Sequence, residues 1–304
     1  VSGTVARRRL ITVVCNRQSG GGRAGRVLPK VVARLHEGIT DAELHVVASS
    51  TYEEARDLTR AAALTAQPGD VVAVMGGDGM AHLGLNACAR TDATLAVIPA
   101  GTGNDFARGA GIPGSIREAV EALVRGRTRV IDLSHLTNAE GERYIGAVVS
   151  SGYDARVNRA TNDIRLRLGA LSYGYIALRE LAAFSPLSYR VTIDGEPREF
   201  EAMLVAVANL GLFGGGMRVA PDFDAEDGLL DVTIIHAASR AKLLRLLPTM
   251  YSGKFVTDPV VERLRARRVE VDGDGLFVMG DGEEMGSVPA TVEIAPGALR
   301  VIVA

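Results

Sequence analysis

The sequence predicts an α/β domain with a doubly wound parallel sheet, followed by a β-rich, sandwich-like second domain. Three observations carry this. Two apolar runs end abruptly in glycine-rich loops: Val71–Met75 enters Gly76-Gly77-Asp78-Gly79, and Leu95–Ile98 enters Pro99-Ala100-Gly101-Thr102-Gly103-Asn104-Asp105. Runs of that length, closed by glycine, are strands buried on both faces of a parallel sheet. Strand-like and helix-like segments alternate up to about residue 133, and beyond it strands with Asp-Gly turns dominate.

In order, Leu10–Val14 reads as the first strand and ends at the loop Asn16–Gly22. Leu28–His36 is helical and Glu43–Ala48 is the second strand. Thr51 stands before Glu53-Glu54 and the helical pattern Tyr52–Ala66, as an N-cap does. An Ala/Leu-rich helix separates the two glycine-closed strands, and Pro113-Gly114 introduces a helix over Ser115–Arg125. The second domain offers strands at Tyr144–Ser150, Leu187–Ile193, Glu199–Ala208, Leu230–Ile235, Arg268–Val271, Phe277–Met279 and Ala290–Ile294. Turns fall at Asp194-Gly195 and Asp272-Gly273, and helical patterns at Ile176–Phe184 and Arg240–Leu247 interrupt the strands. The expected division is 1–133, 134–288, and a closing segment 289–304 that returns toward the first domain.

Two glycine-rich loops at the carboxyl ends of neighbouring strands sit where open α/β sheets bind ligands, and their amides suit phosphate. The common phosphate motifs are absent. Gly20-Gly21-Gly22-Arg23-Ala24-Gly25-Arg26-Val27 has neither the Lys nor the hydroxyl of a P-loop, and Gly77-Asp78-Gly79 lacks the third glycine of a dinucleotide fingerprint.

At 304 residues and a formal charge of −2, the chain has no overall pull toward nucleic acid or an anionic surface. Lysine occurs only at Lys30, Lys242 and Lys254, so backbone amides and arginines must meet any phosphate. Cys15 and Cys88 read as buried thiols, not a disulfide. No secretory signal or membrane span is visible, and a cytoplasmic protein that visits the membrane surface is expected.

Asn16-Arg17-Gln18-Ser19-Gly20, Gly76 to Asn86, Pro99 to Asp105, Asp224 to Asp231 and Gly280-Asp281-Gly282-Glu283 occur in an order that resembles the diacylglycerol kinase catalytic family, which includes sphingosine kinases. The resemblance spans nearly the whole chain and implies an NAD-kinase/phosphofructokinase-like version of the doubly wound domain. It implies that Asn16, Arg17, Gln18, Ser19 and Gly20 hold ATP together with Gly77, Asp78, Gly79, Met80, Ala81, His82 and Leu83, helped by Thr51 and Thr102. It further implies a structural Mg²⁺ on Asp224, Asp227 and the Leu229 carbonyl, with Asp281 as the general base. ATP is then the co-substrate, Mg²⁺ the cofactor, and the partner a lipid alcohol at a membrane surface; a homodimer is compatible with the resemblance.

The chain departs from the family pattern at Arg17, where Pro is common, at Met80, where Thr is common, and at Leu83, where a carboxylate is common. Each candidate also has a plainer reading. Thr51 is then a helix cap, Asp78 an Asx-type turn residue, the acidic segment a turn before a strand, and Asp281-Gly282 a hairpin turn. The expected reaction is ATP- and Mg²⁺-dependent phosphorylation of diacylglycerol to phosphatidic acid. The rivals are an NAD kinase-like enzyme and a regulatory protein that binds nucleotide or lipid without turnover. Arg156, Arg159, Arg165 and Arg167 offer a basic face, and the Asn209–Met217 loop, with Phe213, an apolar entry for acyl chains.

Overall fold

The computed structural model describes residues 7–153 and 185–304. The helical pattern at 176–184 and the arginines between 156 and 167 lie outside the described residues. The chain forms two compact units, Val1–Ile131 with Gly297–Ala304, and Asp132–Pro296.

In the first unit the elements alternate as the sequence predicts. They are β1 (Arg9–Asn16), α1 (Arg23–Gly38), β2 (Ala42–Ser49), α2 (Tyr52–Thr65), β3 (Val71–Gly76), α3 (Asp78–Cys88), β4 (Thr94–Pro99), α4 (Asp105–Gly109) and α5 (Ile116–Arg125). The strands are parallel in the order β2-β1-β3-β4, and Arg300 and Val301 extend the sheet beside Thr94 and Leu95 of β4. Every residue of β3 and β4 is buried, which is why both read as unbroken apolar runs. Side chains alternate across the sheet. Ile11, Val13, Cys15, Ala73 and Met75 pack with Val31 and Leu35 of α1 and Val120 and Leu123 of α5. On the other face, Gly84 of α3 lies against Leu95 and Val74 so closely that a methyl group would not fit. Cys15 and Cys88 are free and buried, as expected, and burial pushes the Cys88 thiol up to about 12.

The remaining strands are β5 (Thr128–Asn138), β6 (Gly141–Ile145), β7 (Val148–Gly152), β8 (Leu187–Ile193), β9 (Glu196–Ala208), β10 (Leu212–Phe213), β11 (Met217–Arg218), β12 (Leu230–His236), β13 (Val261–Ala266), β14 (Arg268–Asp272), β15 (Phe277–Gly280), β16 (Glu283–Ser287) and β17 (Ala290–Ile302). Helix α6 (Arg240–Met250) follows β12. Strand β9 serves two layers. Its first half pairs with β8 in an antiparallel hairpin, and its second half pairs with both β7 and β12. One layer runs β16-β15-β7-β9-β12-β13 and the other β9-β8-β14-β17. Val149, Val205, Val207, Val232 and Ile234 from the first meet Tyr189, Val191, Val269, Val271 and Val292 from the second, the core of a sandwich.

Two expectations are corrected here. Tyr144–Ser150 is not one strand: Gly146 and Ala147 interrupt it, because their N–H groups are drawn to the carboxylate of Asp281. The Asn209–Met217 segment is not an apolar entry loop led by Phe213. That residue belongs to β10, pairs with Met217 of β11, and is 9% exposed.

Candidate functional site

In the first unit, three loops meet at the carboxyl ends of the strands. Residues Gly20, Gly21 and Gly22 all have positive φ, from +61° to +81°, so the Asn16–Gly22 turn needs glycine. A side chain at Gly20 would strike the carbonyl oxygen of Ala100, which packs the first loop onto the third. Gly77 and Gly101 pack backbone to backbone, where a Cβ on Gly101 would lie 2.5 Å from the Gly77 Cα. Asp78 fixes this arrangement. Its carboxylate accepts the N–H of Asn104 at 2.7 Å and of Asp105 at 2.8 Å. Asn104 itself is left-handed, φ +56°, a conformation that Asn tolerates.

Asp78 is therefore neither an Asx turn within its own loop nor a bare charge. It clamps one glycine loop to the other. Gly77, Gly79, Ser19 and Thr102 reach the surface of these loops, as do Arg17 and Gln18, whereas Met80, Ala81, His82 and Leu83 are buried in α3. The Met80 and Ala81 N–H groups both donate to the Gly77 carbonyl, so these four residues build the start of α3 and not the surface of the loop. The Gln18 N–H is held by the Asn16 side chain at 3.0 Å, so Asn16 shapes its own turn. Thr51 caps α2: its hydroxyl accepts the Glu54 N–H at 3.1 Å.

In the second unit, Asp281 and Gly282 form the two-residue turn between β15 and β16, with φ of +51° and +86°. Positive φ at both positions is the type I′ hairpin turn that Asp-Gly favours. Its carboxylate accepts the N–H of Gly146 at 2.9 Å and of Ala147 at 2.8 Å. The chain of contacts continues from there. The Ala147 carbonyl accepts the Asn209 N–H, and the buried Asn209 side chain donates to the Asp132 carbonyl at 2.6 Å. Asp132 donates its N–H to the Ala225 carbonyl and accepts the Gly228 N–H on its carboxylate at 2.8 Å. Asp281 and the acidic turn are thus joined through Ala147, Asn209 and Asp132.

The acidic turn is built by local Asx bonds. Asp224 accepts from the Glu226 N–H at 3.1 Å and Asp227 from the Leu229 N–H at 3.0 Å. Its charge is met by two arginines of β13. Arg265 lies on Asp227, and Arg263 bridges Asp222 and Asp231. Asp231 is buried, which raises its carboxyl above the usual range despite these cations. Among the described residues, no three His, Cys, Asp or Glu side chains converge on a cation position. With the Leu229 N–H on one oxygen of Asp227 and the Arg265 guanidinium on the other, the segment does not fit a metal cage as arranged.

Sequence reasoning did not single out Gly146, Ala147, Asn104, Asp105, Asn209, Asp132 or Arg265 for these contacts. The glycine inside the strand-like run Tyr144–Ser150 was the available signal for the first two, since an isolated strand glycine marks a break or a close approach.

The family model described as the diacylglycerol kinase catalytic domain matches residues 10–136. The YegS C-terminal NAD kinase beta sandwich-like domain matches residues 147–303. A diacylglycerol kinase of Mycobacterium tuberculosis is 37% identical over 296 residues, covering 96% of this chain and 94% of that protein. A diacylglycerol kinase of Bacillus subtilis is 28% identical, covering 91% and 90%. A probable YegS-like lipid kinase of Pseudomonas aeruginosa is 31% identical over 74% of each chain. The crystal structure of a putative diacylglycerol kinase from Bacillus anthracis superposes with a TM-score of 0.77 over 99% of both chains at 23% identity, a likeness of fold.

Proposed function

The chain belongs to the diacylglycerol kinase catalytic family, and from that premise we propose that it transfers the terminal phosphoryl group of ATP to the hydroxyl of diacylglycerol, giving phosphatidic acid. The observation that carries the proposal is the setting of Asp281. Two backbone N–H groups orient its carboxylate, and a carboxylate so held is the type of group that takes a proton from an acceptor hydroxyl. In the proposed step that proton passes to Asp281 as the lipid oxygen bonds to phosphorus and the bond from phosphorus to the ADP oxygen breaks. Phosphoryl transfer asks little covalent chemistry of a protein, so one well-placed base and a rigid phosphate cradle are adequate.

The cradle is the three-loop cluster in the first unit. Ser19, Thr102 and the backbone of the Asn16–Gly20 and Gly77–Gly79 loops are the groups proposed to receive ATP, with Arg17 toward its phosphates. Asp78 supports that role indirectly, by holding the loops together. Mg²⁺ accompanies the nucleotide, where it offsets phosphate charge. The acceptor is proposed to be met at a membrane surface, because diacylglycerol is nearly insoluble.

A phosphate-transfer assay with radiolabelled ATP against diacylglycerol, ceramide, sphingosine and polyprenol tests the reading. Label is expected in phosphatidic acid. ATP binding without label in any lipid would leave the non-catalytic reading standing, and label in another lipid would replace the substrate.

A further inference from the structure

Helix α6 has two apolar faces, and among the described residues one is buried and the other exposed. Leu243, Leu246 and Met250 are buried against the second unit. At 100° per residue, Ala241, Leu244, Pro248 and Tyr251 fall on a different arc, and all four are exposed, Leu244 at 46% and Tyr251 at 52%. Cations border that arc. Arg240 and Arg245 flank it on the helix, and Lys254 follows one turn later. Arg218 stands next to this end of the helix, since its Cβ lies 3.7 Å from the position a Cβ on Gly253 would take. Among the described residues no carboxylate pairs with Arg240, Arg245, Lys254 or Arg218, whereas Lys242, on the inner side, is bonded to Asp258.

Exposed Leu, Pro and Tyr bordered by cations without carboxylate partners are complementary to one kind of surface: an anionic lipid leaflet, with apolar side chains at the acyl boundary and arginines at the phosphates. A protein partner would need its own acidic rim, whereas the substrate proposed above already resides in a bilayer. We infer that the outer face of α6, through Leu244, Pro248, Tyr251, Arg240 and Arg245, is the surface by which this chain docks on anionic membranes. The inference rests on the lipid-kinase reading. It places the contact on α6, with Phe213 buried in β10 as a packing residue.

The test is co-sedimentation of the full chain with phosphatidylcholine vesicles, with and without phosphatidylglycerol, alongside phosphorylation of a short-chain, water-soluble diacylglycerol. Anionic vesicles are expected to bind the chain about tenfold or more tightly than neutral ones. Leu244→Glu with Tyr251→Glu, and separately Arg240→Gln with Arg245→Gln, are expected to weaken that binding about tenfold and leave short-chain turnover and Tm unchanged. Both pairs are surface changes, so two independent variants guard against a folding artefact. Vesicle binding that neither pair alters, or a wild-type chain that ignores anionic vesicles, overturns the inference. So does a homodimer in sedimentation that the first pair splits, since a second copy would then cover the face. Vesicle binding as expected with no turnover on any diacylglycerol would sink the kinase reading and leave the docking surface intact.

Discussion

Asp194 and Asp281 each begin a two-residue hairpin turn, at φ of +48° and +51°, and each is followed by a glycine of positive φ. Each carboxylate also accepts two consecutive backbone N–H groups where one strand gives way to another. Asp194 takes those of Arg267 and Arg268, between β13 and β14, and Asp281 those of Gly146 and Ala147, between β6 and β7. The device is the same; the surroundings differ. Asp194 is exposed and its donors carry arginine side chains, whereas Asp281 is half-buried and its donors carry nothing larger than a methyl group. Beyond Ala147 the contacts run on through Asn209 to Asp132. An Asp-Gly hairpin that ties off a strand break is therefore a structural part in its own right. Catalysis at Asp281 requires more than its presence, and Asp194 is the internal control.

The largest effect is expected at that pair. Asp281→Asn keeps a residue that suits the type I′ turn and removes the proton acceptor, so turnover should fall by about 10² or more with ATP binding nearly intact. Asp194→Asn should leave turnover within about twofold and lower Tm by about 2–4 °C. Equal losses of turnover at steady state would reduce Asp281 to a hairpin residue.

Asp78 extends the comparison to the first unit, where a third carboxylate takes two consecutive N–H groups. Asp78→Ala frees the Asn104–Asp105 loop, and the KM for ATP should rise about tenfold with a smaller change in kcat. If kcat falls and KM holds, Asp78 acts on the reacting phosphoryl group and not on the cradle.

A smaller effect separates the acidic turn from a metal site. Because Arg265 lies on Asp227, Tm of the nucleotide-free chain should be the same in Mg²⁺ as in chelator, and Arg265→Gln should lower it by about 2–4 °C. A Tm that rises with Mg²⁺ in the wild type, and no longer does in Asp227→Ala, would restore the Mg²⁺ reading, since a ligand stabilises the state that binds it.

The smallest expected effect is at Asp70, a fourth carboxylate that accepts amides, those of Leu10 and Gln67, together with the Arg7 guanidinium. Burial works to raise its carboxyl, and the Arg7 bond and the two amides outweigh it, so the net shift is downward. Its contribution to stability is then complete above the ordinary carboxylate value and is lost as pH falls through the lowered one. Asp70→Asn should flatten the acid limb of the stability curve below about pH 4. A limb as steep as that of the wild type would mean other carboxylates govern it.

The sequence determined much of this by short-range chemistry. Strands β3 and β4 were legible because strands buried on both faces must be apolar throughout. Thr51 was legible as a cap and Asp194-Gly195 as a hairpin turn because caps and tight turns are decided within four residues. Family membership was legible because several short motifs kept their order along the chain. The roles of individual carboxylates were not. Whether Asp78 meets a nucleotide, its own turn or a loop 26 residues away depends on which amides folding brings beside it, and the same holds for Asp281 and the Gly146-Ala147 break 134 residues upstream. The charge balance of the acidic turn was equally hidden, since Arg265 reaches Asp227 only once β13 pairs with β12. A carboxylate is specified by its sequence, but its acceptor capacity is spent on whatever donors the tertiary structure delivers, and an unpaired buried donor is costly enough to claim it.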